Sequence, residues 1–166
     1  HTLALTKDPF GNRPNAAPCW MKPKGIMTGL KKTFRIKAKD FIHAGEASIN
    51  VQNLLKSMDF DPQIIRRIAI CGYEGEMNVV MHGGDGELSV DIDANTLVME
   101  ISDNGPGIDD IEKAMQAGFS TASDEHREMG FGAGMGLPNM KKNSDEIMVE
   151  STDGQGTRVR MVFHLS

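Results

Sequence analysis

The sequence has few of the residues that mark a disulfide-stapled, zinc-binding or membrane-spanning protein. Its 166 residues include 2 cysteines, Cys19 and Cys71, which lie far apart and in no Cys-x-x-Cys or Cys/His spacing. No apolar run approaches the roughly 20 residues that span a bilayer, and no signal-type hydrophobic segment precedes a small-residue cleavage site. These absences argue against a disulfide framework and a zinc site, and they predict a cytoplasmic protein with no membrane partner.

Aromatic residues are also scarce, with 1 Trp, 1 Tyr and 7 Phe, and the charge of −5 is unevenly spread. Residues 1–39 hold nine Lys and Arg against one acidic residue, whereas the rest of the chain holds nine against 22. A basic segment can contact nucleic acid, but this one lacks the interleaved aromatics that stack on bases. Because the acidic body would also repel a phosphate backbone, we expect no nucleic-acid partner.

Residues 1–30 form a basic segment interrupted by several prolines and glycines, and no hydrophobic period is evident in it. This pattern predicts an irregular N-terminal arm outside the core. The chain begins at His1, with Met21 and Met27 as candidate natural starts, so part of the arm is expected to come from an expression vector or an upstream reading frame. Residues 31–166 are long enough for one compact domain.

Hydrophobic periodicity within residues 31–166 predicts a mixture of helices and strands. Helices are predicted at residues 44–58, from Asp61 to about His82, and at 109–117 and 137–142. Strands are predicted at residues 33–38, 87–93, 96–102, 147–151 and 158–163. Antiparallel hairpins mixed with helices predict an α+β fold, a two-layer sandwich in which a mixed, mostly antiparallel sheet packs on helices.

Three polar residues of the long second helix, Glu74, Asn78 and His82, are spaced four apart and therefore share one face. The amide oxygen of Asn78 suits a hard Mg²⁺ ion that keeps several waters and binds nucleotide phosphates. Glu74, one helical turn away, could accept a proton from an attacking hydroxyl group or water. Taken alone, the same spacing is also typical of a solvated helix face.

Two glycine-rich segments follow in positions that suit a nucleotide. Asp103, Gly105 and Gly107 come directly after a predicted strand, where a tight turn can approach a flat ligand and a carboxylate suits the amino group of adenine. An ordinary Asx/Gly turn has the same pattern. Residues 130–137 alternate four glycines before a helix, which exposes backbone N–H groups to a phosphate chain. This second segment has neither a Walker ending nor the preceding βαβ strand of a Rossmann turn.

The order of these motifs resembles that of the GHKL ATPases, the superfamily of gyrase, MutL and the histidine kinases. The likeness covers residues 33–165 and rests on Glu74-x-x-x-Asn78 with His82-Gly83, Asp103-x-Gly105-x-Gly107, Gly132-x-Gly134-x-Gly136, and Gly156-Thr157. Within the superfamily, the chain is most similar to the bacterial anti-sigma factor serine/threonine kinases. Four motifs in one order are far more specific than any single motif.

The resemblance implies ATP or ADP and Mg²⁺ as cofactors, and it assigns roles to individual residues. Glu74 is implied as the general base and Arg127 as the cation that neutralises charge on the γ-phosphoryl group. Asn78 is implied as the metal ligand, and Asp103 is implied to bind adenine with help from Thr157. The implied nucleotide-binding residues are Asn78, Asp103, Gly105, Gly107, Ile108, Ser120, Thr121, Gly130, Gly132, Ala133, Gly134, Met135, Gly136, Leu137 and Thr157.

The resemblance also implies a function and partners. The function is phosphorylation of a serine or threonine on an anti-sigma antagonist of the STAS type, with sigma-factor sequestration as a second activity, and a homodimer is expected. The glycine cluster is richer than in the anti-sigma kinases and closer to histidine-kinase lids. A nucleotide-dependent partner-binding switch without turnover and a detached histidine-kinase ATPase domain therefore stay as alternatives.

One residue of the long helix is unusual. Gly75 lies in the helix interior, where glycine costs about 1 kcal/mol relative to alanine. The position predicts either the close approach of another helix or simple tolerance of glycine.

Overall fold

The structure, a computed structural model, describes residues 1–6, 29–119 and 134–165. The elements in these ranges are β1 (Thr2–Thr6), β2 (Leu30–Ile36), α1 (Glu46–Ser57), α2 (Pro62–His82), β3 (Gly86–Ile92), β4 (Thr96–Asp103), α3 (Ile111–Ala114), α4 (Gly136–Asn143), β5 (Glu146–Thr152) and β6 (Gly156–His164). Every predicted helix and strand is present, and the bounds differ by three residues or fewer. Within the described ranges, no helix combines the length and the apolar character that crossing a bilayer requires.

The strands form one antiparallel sheet in the order β1-β5-β6-β4-β3-β2. Alternation along the strands buries one set of apolar side chains, such as Leu88 and Val90 in β3 and Met99 in β4. These side chains belong to the same core as Leu55 of α1 and Ile68 of α2. The predicted α+β two-layer sandwich is therefore confirmed, and every strand pair in the described residues is antiparallel.

The long helix α2 begins and ends where its sequence signals predict. The Asp61 side chain accepts a hydrogen bond from the N–H of Gln63 at 2.7 Å, and Pro62 occupies the first helical position. At the other end, the N–H of Gly83 donates to the carbonyl oxygen of Val79 at 3.0 Å. Both ends of the helix are thus defined by hydrogen bonds, which sets where Glu74, Asn78 and His82 lie along it.

Gly75 permits α2 to lie close to the sheet. A β-carbon at this position would overlap the side chain of Ile101 in β4. The close neighbour at this position is the end of a flexible side chain on a strand. The expectation of a second helix here is therefore wrong, and simple tolerance of glycine stays a prediction. Packing against β4 keeps the middle of α2 next to the strand that ends at Asp103.

The first six residues differ from the predicted irregular arm. Strand β1 pairs with β5, from Thr2 opposite Glu150 to Thr6 opposite Glu146, and Leu3 packs against the core. This strand is only five residues long and is followed by a proline-rich stretch. Its hydrophobic alternation is therefore too short to be recognised as a period in the sequence. The expectation of irregular structure is thus wrong for these residues, and residues 7–28 lie outside the described ranges.

Candidate functional site

A cavity of about 680 Å³ opens between α2, α3, the start of α4 and the adjoining ends of β4 and β6. Its wall contains ten of the residues predicted for the site: Glu74, Asn78, Asp103, Gly107, Ile108, Gly134, Met135, Gly136, Leu137 and Thr157. Six other predicted residues, Ser120, Thr121, Arg127, Gly130, Gly132 and Ala133, lie outside the described residues. The fold therefore brings distant motifs to one place, as their order in the chain predicted.

Gly105 has a supporting position behind the cavity wall. Its N–H donates to Asp103 Oδ1 at 2.8 Å. A β-carbon on Gly105 would collide with the backbone of Gly83 and Gly84, which follows α2. The glycine thus allows the turn after β4 to pack on the end of α2, and the cavity surface is formed by its neighbours.

One end of the cavity is formed where α2 meets the first residue of α4. Glu74 and Asn78 are half-buried and face the cavity from α2. A β-carbon on Gly136 would lie 3.2 Å from Asn78 Oδ1 and 3.5 Å from Glu74 Oε2. Glycine therefore lets the N-terminus of α4, where backbone N–H groups attract anions, approach both polar side chains.

Sequence reasoning missed Asn139, which belongs to this end of the cavity. Its Nδ2 atom donates to Glu74 Oε1 at 2.8 Å, across 65 residues of chain. No described residue donates to the other carboxylate oxygen, Oε2. The available signal was the spacing of Asn139 from Gly136, because residues three apart share one face of a helix.

The other end of the cavity lies where β4 and β6 finish. Asp103 is the last residue of β4 and stands opposite Thr157 of β6. Both residues are half-buried. Since Asp103 Oδ1 is used by the N–H of Gly105, its second oxygen is the one available to a ligand in the described structure. A carboxylate oxygen in this position can accept a hydrogen bond from an exocyclic amino group.

A buried serine that sequence reasoning also missed fixes this turn. Ser151 Oγ accepts the N–H of Ile108 at 2.6 Å and lies 3.2 Å from Thr157 Oγ1. Gly107 has φ of +89°, and a β-carbon there would lie 2.7 Å from the carbonyl oxygen of Thr152. Backbone contacts between β5 and the turn after β4 therefore set the shape of this end.

The described wall of the cavity is strongly acidic. Carboxylates line it at five positions, Glu74, Asp103, Asp109, Asp110 and Asp153. Lys113 contributes a positive charge, with its Nζ 4.7 Å from the ring centre of Phe119. Neither Lys113 nor Phe119 was among the predicted site residues. A polyphosphate entering this cavity needs cations to offset the repulsion from the wall.

The family described as histidine kinase-, DNA gyrase B-, and HSP90-like ATPase matches residues 73–166, which is more than half of the chain. The chain belongs to this family and therefore contains an ATP-binding domain of the ATPase type. The resemblance found in the sequence motifs is thereby confirmed.

The chain is also similar to individual proteins named as anti-sigma factors and as a serine/threonine-protein kinase. An anti-sigma F factor of Thermoanaerobacter sp. (strain X514) is 39% identical over 112 residues, which cover 63% of this chain and 75% of that protein. The serine/threonine-protein kinase RsbT of Bacillus subtilis (strain 168) is 31% identical over 115 residues, covering 67% and 80%. An anti-sigma F factor of the same organism is 29% identical over 126 residues, covering 72% and 83%.

Proposed function

We propose that this chain is a cytoplasmic, ATP-binding regulator of the anti-sigma type that phosphorylates a serine or threonine of a partner protein. The observation that carries the proposal is the meeting of Glu74, Asn78 and Gly136 at the wall of one cavity. A carboxylate, an amide oxygen and a helix N-terminus together can hold a metal–polyphosphate and accept a proton. The names of the relatives, anti-sigma F factor and serine/threonine-protein kinase, support the reaction class.

The nucleotide is proposed to bind with adenine between Asp103 and Thr157 and with its phosphates at the start of α4. The residues outside the described ranges, Ser120, Thr121, Gly130, Gly132 and Ala133, are proposed to complete the phosphate contacts. Arg127 is proposed to neutralise charge on the γ-phosphoryl group.

A Mg²⁺ ion is proposed to accompany the nucleotide. In the described ranges, no group of three or more His, Cys, Asp or Glu side chains is placed to hold a metal ion. Mg²⁺ does not require such a cage, because it keeps several waters and takes phosphate oxygens as ligands. Asn78 Oδ1 is the protein oxygen that fits, since it is half-buried beside Gly136. When bound, the ion offsets negative charge on the phosphates.

Glu74 is proposed as the general base for phosphoryl transfer. Glu74 Oε2 takes the proton of the attacking hydroxyl group while the oxygen of that hydroxyl group forms its new bond to the γ-phosphorus. The bond from the γ-phosphorus to the bridging oxygen breaks at the same time, and ADP leaves. A carboxylate at this position favours an enzyme over a pure binding module, which needs no base.

The proposed partners are a sigma factor and a STAS-type anti-sigma antagonist, and the proposed assembly is a homodimer. The antagonist supplies the serine or threonine that is phosphorylated. Support for these partners comes from the resemblance to anti-sigma factor kinases and from the printed names of the relatives.

The test measures nucleotide binding and label transfer separately. The chain is incubated with γ-labelled ATP, Mg²⁺ and candidate antagonist proteins, and transfer is compared with that of Glu74→Gln and Asn78→Ala. Glu74→Gln should lower transfer by about 100-fold or more while nucleotide affinity stays within about twofold. Asn78→Ala should weaken nucleotide binding in Mg²⁺ much more than in EDTA.

A matched control is Glu87→Gln, which changes an exposed carboxylate on β3, and it should leave both quantities unchanged. Transfer that survives in Glu74→Gln would contradict the role of the base. A wild-type chain that binds Mg²⁺-ATP and partner but transfers no label would instead favour the nucleotide-dependent switch.

A further inference from the structure

Helices α2 and α4 are joined by a series of contacts along one face of α2. The α2 residues involved recur at spacings of three or four, which places them on one side of the helix. Three of these contacts are hydrogen bonds: Arg67 Nε to the carbonyl oxygen of Asn143 at 2.9 Å, Cys71 Sγ to that of Met140 at 3.6 Å, and Asn139 Nδ2 to Glu74 Oε1 at 2.8 Å. At the end of the series, Asn78 faces Gly136, where a β-carbon would lie 3.2 Å from Asn78 Oδ1. Later residues of α2 face earlier residues of α4, so the two helices run antiparallel.

Asn139 differs from the rest of this series because its side chain holds a group proposed to react. A carboxylate can only accept hydrogen bonds, so Asn139 must present its NH₂ group to Glu74. A bond from an amide to a charged carboxylate is shorter and stronger than a bond between neutral groups. The hydrogen bond from Asn139 holds Glu74 Oε1 in place, and Oε2 then lies beside Gly136.

We propose that Asn139 is a positioning residue that orients the Glu74 carboxylate so that Oε2 faces the acceptor hydroxyl group. This inference rests on the proposed kinase function, in which Glu74 is the base. Without Asn139, the Glu74 side chain is free to rotate about its three χ angles, and fewer of its rotamers present an oxygen to the hydroxyl group.

The position of Asn139 also links the base to the nucleotide. It lies in the helix whose first residue, Gly136, lines the cavity. Phosphates bound at the N-terminus of α4 and the carboxylate held by its next turn are therefore placed by one rigid element. The buried Met140 anchors that element in the core, where its exposed fraction is 0%.

A double-mutant cycle tests the inference. Asn139→Ala should lower single-turnover label transfer by about tenfold, a part of the factor that general base catalysis supplies. Nucleotide affinity should stay within about twofold. In the Glu74→Gln background the same substitution should cause no further loss, because Asn139 acts through the missing base.

The matched control is Asn143→Ala. Asn143 is the same residue type one turn further along α4, and its side chain donates to the carbonyl oxygen of Asn139 instead of contacting Glu74. Its transfer rate should equal that of the wild type. Wild-type transfer in Asn139→Ala would overturn the inference. An equal fold loss in the wild-type and Glu74→Gln backgrounds would also overturn it, since that result describes a purely structural role.

A measurement that needs no turnover separates this inference from the kinase proposal. The side-chain NH₂ resonances of Asn139, observed by nuclear magnetic resonance, should move upfield in Glu74→Ala because the hydrogen bond is lost. Resonances that stay in place would overturn the inference, whatever becomes of the kinase. Absence of label transfer in the wild type, with the resonances moving as expected, would reject the kinase and leave the contact as the restraint on the Glu74 carboxylate.

Discussion

The two ends of the cavity are built in different ways. The end at Asp103 and Thr157 is shaped by backbone segments that touch one another, and glycine is required because a β-carbon would strike a carbonyl group. The end at Glu74 and Asn78 is shaped by side chains that meet between two helices. Replacing a glycine at the first end should therefore damage the fold, whereas replacing Glu74 or Asn78 at the second end should damage the chemistry and spare the fold.

The largest effect is expected for Gly156→Ala at the backbone-built end. Gly156 has φ of +94°, and a β-carbon there would overlap the carbonyl oxygen of Asp103. Left-handed strain and the collision together should lower the free energy of unfolding by about 2–4 kcal/mol, as measured by urea denaturation.

Gly154→Ala is the control for this prediction, because it changes a glycine in the same turn. Gly154 also has a positive φ, +69°, but among the described residues no atom beyond its chain neighbours lies within 4 Å of its would-be β-carbon. It should cost about 1 kcal/mol from backbone strain alone. Equal losses in the two variants would show that the collision with Asp103 adds nothing to the cost of the substitution.

A smaller effect is expected for Asp103→Asn, which replaces one carboxylate oxygen at the same end of the cavity with an NH₂ group. The retained Oδ1 can still accept the N–H of Gly105, so the melting temperature should change little. The new NH₂ group would oppose the amino group of adenine, and ATP affinity should fall by about tenfold, or about 1.4 kcal/mol.

Calorimetric titration with ATP measures this loss, and Asp153→Asn is its control. Asp153 is an exposed residue of the same cavity wall and should leave ATP affinity within about twofold. Unchanged affinity in Asp103→Asn would remove Asp103 from the adenine site and move the nucleotide elsewhere in the cavity.

Local patterns in the sequence were sufficient for much of the fold and part of the site. The Asp61-Pro62 signal located the start of α2, and strict alternation located β3 and β4. The spacing of Glu74 and Asn78 placed both on one face. These features are determined by neighbours within one or two turns of chain, so a single sequence contains them.

Contacts between distant segments could not be predicted in this way. The hydrogen bond from Asn139 to Glu74 joins residues 65 apart. Glu76 provides a second case: it is 2% exposed, and its carboxylate accepts the backbone N–H groups of Gly45, Ala47 and Ser48 at the start of α1. A glutamate in the interior of a helix carries no local sign that it caps a different helix.

The smallest effect is expected from an exposed ion pair before α1, on the helical side of the molecule. His43 Nδ1 lies 2.9 Å from Asp40 Oδ2. This hydrogen bond raises the pKa of His43 above its ordinary value of 6.5 and lowers the pKa of Asp40. The stabilising contribution of His43 is complete below its unfolded pKa and is lost as the pH rises through the folded one. That of Asp40 is present above its unfolded pKa and is lost as the pH falls.

The melting temperature should therefore fall slightly as the pH rises from about 6 to about 8, and His43→Gln should remove that part of the fall. Because the pair is exposed, added salt should weaken the effect. The collision at Gly156 is steric, so the free energy of unfolding lost in Gly156→Ala should be the same at about pH 6 and about pH 8, with or without added salt. A pH-dependent loss in Gly156→Ala would mean that charge also contributes to the stability of the end at Asp103 and Thr157. The distinction between an end shaped by backbone packing and an end shaped by polar side chains would then be wrong.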